Sequence, residues 1–186
     1  MLKEELRLHY SKLRRGLSHQ AIDKASLAIA NQLLKLPIWS LANYHIFLQI
    51  PHKKEVNTQP ILSILSGRDK NIVVPRVAEG NHFNNILLTD QTRLAPNRWG
   101  IPEPVDGIEV PPDKIDLVFV PLLAFDRKGH RVGYGKGFYD TFLGNCREQV
   151  VKVGLSLFEA EEKIEDTHEG DITMDYCATP ETVYRF

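Results

Sequence analysis

Short apolar runs divided by helix-like segments constrain this chain more than any other feature of its sequence. NIVVP (71–75), the buried-looking KIDLVFVP (114–121) and VVKVGLSL (150–157) read as strands. YHIFLQ (44–49) and HFNNILL (82–88) add two more, and a last strand is expected near YCAT (176–179). Between the first two strands in chain order lies QPILSILSG, a helical segment closed by Gly67. Strand, helix, strand in that order predicts a βαβ crossover and a largely parallel sheet.

Two helices precede the sheet. Residues 3 to 16 form an amphipathic stretch in which Leu6, Leu13 and Leu17 could share a face, with Gly16 as its stop. Ser18 then caps SHQAIDKASLAIANQLLKL, whose apolar positions are Ile22, Leu27 or Ala25, Ile29 and Leu33, and Pro37 ends it. The fold class expected is a single α/β domain over 1–186, a mostly parallel twisted sheet flanked by helices. Residues 90 to 114 carry five prolines (Pro96, Pro102, Pro104, Pro111 and Pro112). They read as one long irregular stretch, the kind of segment in which function concentrates.

Composition excludes more than it identifies. The 23 Lys and Arg against 24 Asp and Glu leave a net charge of −1, so nothing draws the whole molecule to nucleic acid or to an anionic membrane. The Arg14-Arg15 and Lys53-Lys54 pairs are too sparse to read as an RNA-binding stripe. Two cysteines, Cys146 and Cys177, lack metal-ligand spacing, and the seven histidines form no His-x-x-x-His pair. The charged amino-terminal segment carries no apolar core of a signal peptide, and no apolar run is long enough to span a bilayer. The setting expected is cytoplasmic and reducing, for a monomer whose partners are small molecules.

The chemistry concentrates in DRKGHRVGYGKGFYDTFL (126–143). Four of the chain's 12 glycines, Gly129, Gly133, Gly135 and Gly137, fall within nine residues, among Arg131, Lys136 and aromatic side chains, with Asp140 at the exit. A strand feeding a glycine-rich turn and then a helix suits phosphate: backbone N–H groups approach the anion closely and the helix start adds a favourable dipole. Two named phosphate motifs fail. A Walker loop needs Ser or Thr where Gly137 stands, and a dinucleotide fingerprint needs a small residue where Phe138 stands. The loop still predicts a cradle, with Lys136 and Arg131 supplying charge and Asp140 placed to hold a magnesium ion that bridges phosphates.

The string RVGYGKGFYDTFL, with AFDRKG before it, resembles the signature of the 5-formyltetrahydrofolate cyclo-ligase family. KEELR (3–7), FLQIPHKKEVNT (47–58), VPRV (74–77), WGIPEP (99–104) and HEGDITMD (168–175) resemble further motifs of that family in the same order. One departure is Leu122, which stands after Pro121 where the family has glycine. The resemblance implies an ATP- and Mg²⁺-dependent ring closure of 5-formyltetrahydrofolate to 5,10-methenyltetrahydrofolate. It implies that Lys3, Arg7, Arg131, Gly133, Tyr134, Gly135, Lys136, Gly137, Phe138 and Tyr139 bind ATP. Lys136 and Arg131 are the catalytic candidates. Ile50, Glu55, Trp99, Tyr134 and Phe138 are implied for the folate, and Asp140 and Asp171 for the metal, with Asp175 as the rival of Asp171. Arg76 fits a substrate contact or a structural ion pair equally, and His82, His130 and His168 receive no role. A different ATP-using ligase or kinase, or a binding module without turnover, is the alternative reading of the loop by itself.

Overall fold

The computed structural model describes residues 1–186 and contains one seven-stranded sheet, four α-helices and two short hairpins. In chain order the elements are α1 (Lys3–Arg15), α2 (His19–Leu33), β1 (Asn43–His45), α3 (Gln59–Gly67), β2 (Asn71–Val77), β3 (Phe83–Leu88), β4 (Leu94–Pro96) and β5 (Pro102–Pro104). They continue with β6 (Leu117–Pro121), β7 (Ala124–Phe125), β8 (Arg131–Val132), α4 (Phe138–Asn145), β9 (Val151–Leu155), β10 (Tyr176–Ala178) and β11 (Val183–Arg185). No helix is long and apolar enough to cross a membrane.

The sheet runs β11-β10-β9-β6-β1-β2-β3. Its interior pairs, β10 with β9, β9 with β6, β6 with β1 and β1 with β2, are all parallel. Antiparallel β3 and β11 close the two edges. The parallel reading therefore holds for the interior, and the edge strands depart from it because each follows its neighbour through a connection too short for a crossover. From β1 the chain crosses through α3 to β2 on one side, and later reaches β6 on the other. The order thus reverses at β1 and β6, and in open sheets of this type the crevice at such carboxyl ends is the preferred ligand position.

Alternation along the strands sorts side chains between two cores. Ile72, Val74, Leu117 and Phe119 join α2 and α3 in one cluster, while Val73, Val118 and Val120 join Phe142 and Leu143 of α4 in the other. Ser18 caps α2 as expected, its hydroxyl accepting from the Ala21 N–H. On α2 the buried apolar set is Ile22, Ile29, Ala30 and Leu33, and Leu27 is exposed, which leaves Ala25 as the position partly packed on the core.

Several boundaries differ from expectation. β1 ends at His45; the Ile46 N–H still donates to the Val73 carbonyl at 2.9 Å, and Phe47, Leu48 and Ile50 beyond it line the cavity. The stretch 90–114 holds the hairpin β4–β5 within it. β6 does not lead directly into the glycine loop, since the two-residue pair β7–β8 intervenes. On α1 the buried stripe is Leu6, Tyr10 and Arg14, and Leu13 stays 41% exposed. That helix docks on β7–β8 through Leu6 and Tyr10, against Leu123, Ala124, Val132 and Ile164, which turns the Leu13 side outward.

Leu122 sits without strain. Its φ is not positive, and its side chain is buried in the second core. The room comes from Gly154 on the neighbouring β9: a Cβ there would stand 2.6 Å from Leu122 Cδ2 and 2.6 Å from Cys177 Sγ.

Candidate functional site

A cavity of about 840 Å³ opens at the carboxyl ends of β1, β2 and β6. Phe47, Leu48 and Ile50 enter it from the segment after β1, Pro75 and Val77 from the end of β2, and Pro121 from the end of β6. The glycine loop between β8 and α4 forms one wall and the β4–β5 hairpin another. Every site residue expected from the sequence lines it: Lys3, Arg7, Ile50, Glu55, Trp99, Arg131, Gly133, Tyr134, Gly135, Lys136, Gly137, Phe138, Tyr139, Asp140 and Asp171. Asp175 does not. Its carboxylate accepts from the Lys152 N–H and pairs with the Lys152 ammonium at 3.0 Å, on the sheet. Arg76 is also absent from the lining, and its guanidinium donates to the Val105 carbonyl.

The positive groups at the loop end are held by contacts that fix direction. Arg131 reaches inward with its side chain only 8% exposed, donating to the Ile172 carbonyl and to Asp140 Oδ1 at 2.7 Å. Lys3 Nζ pairs with Asp171 Oδ2 at 2.5 Å. Burial works against the Asp171 carboxylate, but the bonds from Lys3 and from the His168 N–H outweigh it and hold its pKa below the ordinary value. Arg7 Nε donates to the Gly133 carbonyl at 2.9 Å. Its guanidinium lies flat along Gly135, where a Cβ would come within 3.4 Å of Cζ. Gly135 and Gly137 have φ of 82° and 73°, a backbone that side-chain-bearing residues rarely adopt. Lys136, at the loop tip, is exposed and has no carboxylate partner.

β7–β8 is what carries Arg131 and the loop into place, and Asp126 holds that hairpin. Its fully buried carboxylate accepts from the N–H groups of Lys128, His130 and Ile164 and meets the His130 ring at 3.1 Å. His130 is therefore a structural neighbour of the turn, and the AFDRKG motif is the scaffold on which the phosphate-binding candidates stand.

A second set of contacts ties the loop to the far wall. Arg14 donates to the Tyr134 hydroxyl at 2.9 Å, and that hydroxyl donates to Glu55 Oε1 at 2.8 Å. The other oxygen of Glu55 accepts from the Ile50 N–H at 2.9 Å. Glu55 is 2% exposed. Burial raises its pKa, even though the Ile50 and Tyr134 hydrogen bonds and the Arg14 and Lys53 charges all pull the other way. Burial likewise raises the pKa of the Tyr134 phenol and lowers that of the Lys53 ammonium, which lies 4.2 Å above the Tyr134 ring. Arg14 itself is buried, anchored also to the Leu122 carbonyl at 2.6 Å. The Arg14-Arg15 and Lys53-Lys54 pairs thus make no basic surface stripe. Arg14 points into the protein, and Lys54 donates to the Arg15 and Leu17 carbonyls past the end of α1.

Between these walls the lining is aromatic and apolar. Phe83 of β3 stacks on Phe138 with centroids 5.1 Å apart, and Tyr139 packs edge-on to Phe83. Sequence reasoning missed Phe83, Lys53, His52, Arg98 and Ile172. Lys53 was readable from its place beside Glu55, whereas Phe83 and Ile172 reach the cavity only through sheet pairing and the return of the chain after β9.

Each of the two metal candidates has a carboxylate oxygen free of hydrogen bonds. Asp140 is half exposed with Oδ2 uncommitted, and Asp171 has Oδ1 uncommitted. No three His, Cys, Asp or Glu side chains converge into a cage. That donor set fits a magnesium ion completed by phosphate oxygens and water, which is how magnesium is usually held.

The chain is similar to proteins of one family over most of its length. The sequence model of the 5-formyltetrahydrofolate cyclo-ligase family matches residues 1–173. A Mus musculus 5-formyltetrahydrofolate cyclo-ligase is 30% identical, the match covering 81% of this chain and 78% of that protein. A Haemophilus influenzae 5-formyltetrahydrofolate cyclo-ligase is 28% identical over 83% of this chain and 84% of its own. Among solved structures, the Aquifex aeolicus 5,10-methenyltetrahydrofolate synthetase superposes with a TM-score of 0.84 at 32% identity, over 100% of this chain and 93% of that one.

Proposed function

The chain belongs to the 5-formyltetrahydrofolate cyclo-ligase family, and on that premise we propose that it closes 5-formyltetrahydrofolate to 5,10-methenyltetrahydrofolate at the expense of ATP. The formyl oxygen takes the γ-phosphoryl group with release of ADP, N-10 attacks the activated formyl carbon and loses its proton, and the carbon–oxygen bond breaks to release phosphate. The observation that carries this reading is the convergence of four cations from separate segments (Lys3, Arg7, Arg131 and Lys136) beside an aromatic-lined cavity at the sheet's switch point.

A formyl amide oxygen attacks without losing a proton, so the phosphoryl transfer needs no general base, and the proton that N-10 gives up on ring closure leaves with the phosphate or to water. What the step needs is alignment and neutralisation of the phosphates. Lys136, free of any carboxylate, and Arg131, held on Asp140 and Ile172, supply charge on the transferring group. Gly133 to Phe138 offer backbone N–H donors, and Tyr139 closes the cradle from the first turn of α4. Lys3 and Arg7, one turn apart on α1, reach the same phosphates. Tyr134 and Phe138 offer flat faces to the pterin, Ile50 and Trp99 wall it, and Glu55 accepts from its N–H groups. Glu55 Oε1 already accepts from the Tyr134 hydroxyl, so a pterin N–H on that oxygen would share it with the residue at the middle of the glycine loop. Magnesium, held by Asp140 and Asp171, would supply charge neutralisation across the phosphates. Lys3 and Arg131, which pair with those two carboxylates, would then be available to the phosphates as well. The partners implied are these small molecules, for a monomeric cytoplasmic enzyme.

The test is direct. Purified protein with ATP, Mg²⁺ and 5-formyltetrahydrofolate should show near-ultraviolet absorbance of the methenyl product that grows only when all three are present. Absence of that signal while ATP still binds would overturn the proposed acceptor.

A further inference from the structure

Lys53 enters the cavity from the far wall, on a turn that is fixed at both ends. Pro51–Lys53 make one turn of 3₁₀ helix, closed by the Lys53 N–H on the Ile50 carbonyl and the Lys54 N–H on the Pro51 carbonyl, each at 3.1 Å. Lys54 takes a φ of 50°, a conformation uncommon for a residue with a side chain. Its ammonium ties that corner to the Arg15 and Leu17 carbonyls at 2.8 and 2.5 Å. Gln49 donates to the Glu55 carbonyl, and Glu55 Oε2 accepts from the Ile50 N–H. This framework leaves Lys53 facing the cavity close to the buried Glu55, its Nζ 4.2 Å from the centre of the Tyr134 ring.

That ring is a weak partner for an ammonium. Lys3 and Arg131 pair with Asp171 and Asp140, and Arg7 is held on the Gly133 carbonyl, whereas Lys53 and Lys136 meet no carboxylate. Burial lowers the Lys53 pKa, the Glu55 charge opposes that shift, and the charges of Lys136 and Arg14 add to it. Two unpaired ammonium groups thus face one cavity from two walls, an arrangement that an anion between them relieves. A ring face holds an ammonium less firmly than a phosphate oxygen does, so the lysine stem is free to swing from one to the other. The proposed transfer carries negative charge away from the nucleotide and toward the wall that holds the Glu55 carboxylate. We propose that Lys53 is a further catalytic residue, whose ammonium leaves the Tyr134 ring and donates to the phosphoryl group as its bond to the ADP oxygen breaks and its bond to the formyl oxygen forms. Lys53 keeps its proton throughout, screens the phosphoryl group from Glu55, and returns to the ring when the carbon–oxygen bond breaks and phosphate leaves. The assignment rests on the cyclo-ligase reading of the cavity.

Beryllofluoride on ADP mimics the phosphoryl group and needs no folate, so its binding is read apart from turnover. Calorimetric titration with MgADP, with and without beryllofluoride, gives the affinity that the phosphoryl mimic adds. Lys53→Met should cut that added affinity roughly tenfold, the scale of one hydrogen bond from a charged donor, and leave MgADP alone within about twofold. Lys53→Arg should keep most of it. With Glu55→Gln already in place, Lys53→Met should cost only roughly threefold, because the carboxylate it screens is gone. In turnover, kcat of Lys53→Met should fall roughly tenfold while both KM values move by less than about twofold, the mark of a contact made in the transition state. Wild-type protein that gains nothing from beryllofluoride, an equal loss for MgADP with and without it, or a loss unchanged in the Glu55→Gln background overturns the proposal. The expected binding pattern in a protein that forms no methenyl product sustains Lys53 on the phosphoryl group and sinks the folate acceptor proposed above.

Discussion

Replacing Arg14 with Met tests the contact that links α1, the glycine loop and Glu55. Arg14→Met keeps an unbranched apolar stem while removing the guanidinium. It deletes a donor to the buried Leu122 carbonyl at 2.6 Å and a donor to Tyr134 at 2.9 Å. A hydrogen bond from a charged donor contributes about 1.5–3 kcal/mol, and a buried carbonyl left without a partner costs about 1–3 kcal/mol. The variant also strips the buried Glu55 of a nearby cation. Against this, Arg14 Nε is buried without a partner, so its removal relieves a desolvation cost. The net expectation is a loss of about 3 kcal/mol, at the low end for breaking a buried charged contact. For a chain of this size that lowers the thermal midpoint by roughly 6–12 °C. Urea unfolding of the wild type, Arg14→Met, Glu55→Gln and the double variant closes a thermodynamic cycle. The double variant should lose about 1–2 kcal/mol less than the sum of the singles, because no uncompensated carboxylate remains. A loss under about 1 kcal/mol in Arg14→Met, or strict additivity, would refute the idea that the three side chains act as one unit.

Other outcomes follow from the same geometry. Glu55 has its folded pKa raised by burial, so its contribution to stability is fully present below the ordinary carboxylate pKa and is lost as pH rises through the raised value. Wild-type stability relative to Glu55→Gln should therefore fall as pH rises from the ordinary carboxylate pKa through the raised one, and a difference that stays flat with pH would contradict it. Gly154→Ala forces a Cβ to within 2.6 Å of Leu122 and Cys177 and should cost about 1–3 kcal/mol, partly recovered by Leu122→Ala. Calorimetry checks this, and an unchanged midpoint in Gly154→Ala would show that β9 can shift. Lys136→Ala should lower kcat by roughly 10²-fold while raising the folate KM far less, and turnover within a few-fold of wild type would remove Lys136 from the phosphate step.

The sequence gives the ladder of elements and the site's charged members because both are local signals. QPILSILSG ends where Gly67 predicts, and the cations of KEELR are an i, i+4 pair on one helix face. What it hides is whatever depends on pairing across the sheet. Phe83 reads as an ordinary strand residue, and only its antiparallel place beside β2 brings it onto Phe138. Arg14 reads as half of a basic pair on an exposed helix, and the docking of α1 on β7–β8 turns it inward instead. Leu122 reads as a departure from the family's glycine, and its compensation, Gly154, lies on a strand that follows a whole crossover later. The hairpin in 90–114 is concealed by its prolines, which a two-stranded edge tolerates where a central strand would not.

The ion pair between Lys3 and Asp171 joins residues 168 positions apart. During synthesis, α1 leaves the ribosome early, but the surfaces that receive it, β7–β8 and the segment around Ile164, emerge much later. Closing so long a loop adds only a modest entropic term over a shorter one, so the delay is one of order and not of strength. The phosphate end of the site therefore cannot close until both α1 and the chain through Asp171 have been made. A nucleotide that binds across Lys3, Arg7 and Arg131 would then act as a clasp on the finished chain. It would raise the free energy of undocking α1 in proportion to the logarithm of its concentration, and protect that helix from proteolysis before it protects anything else.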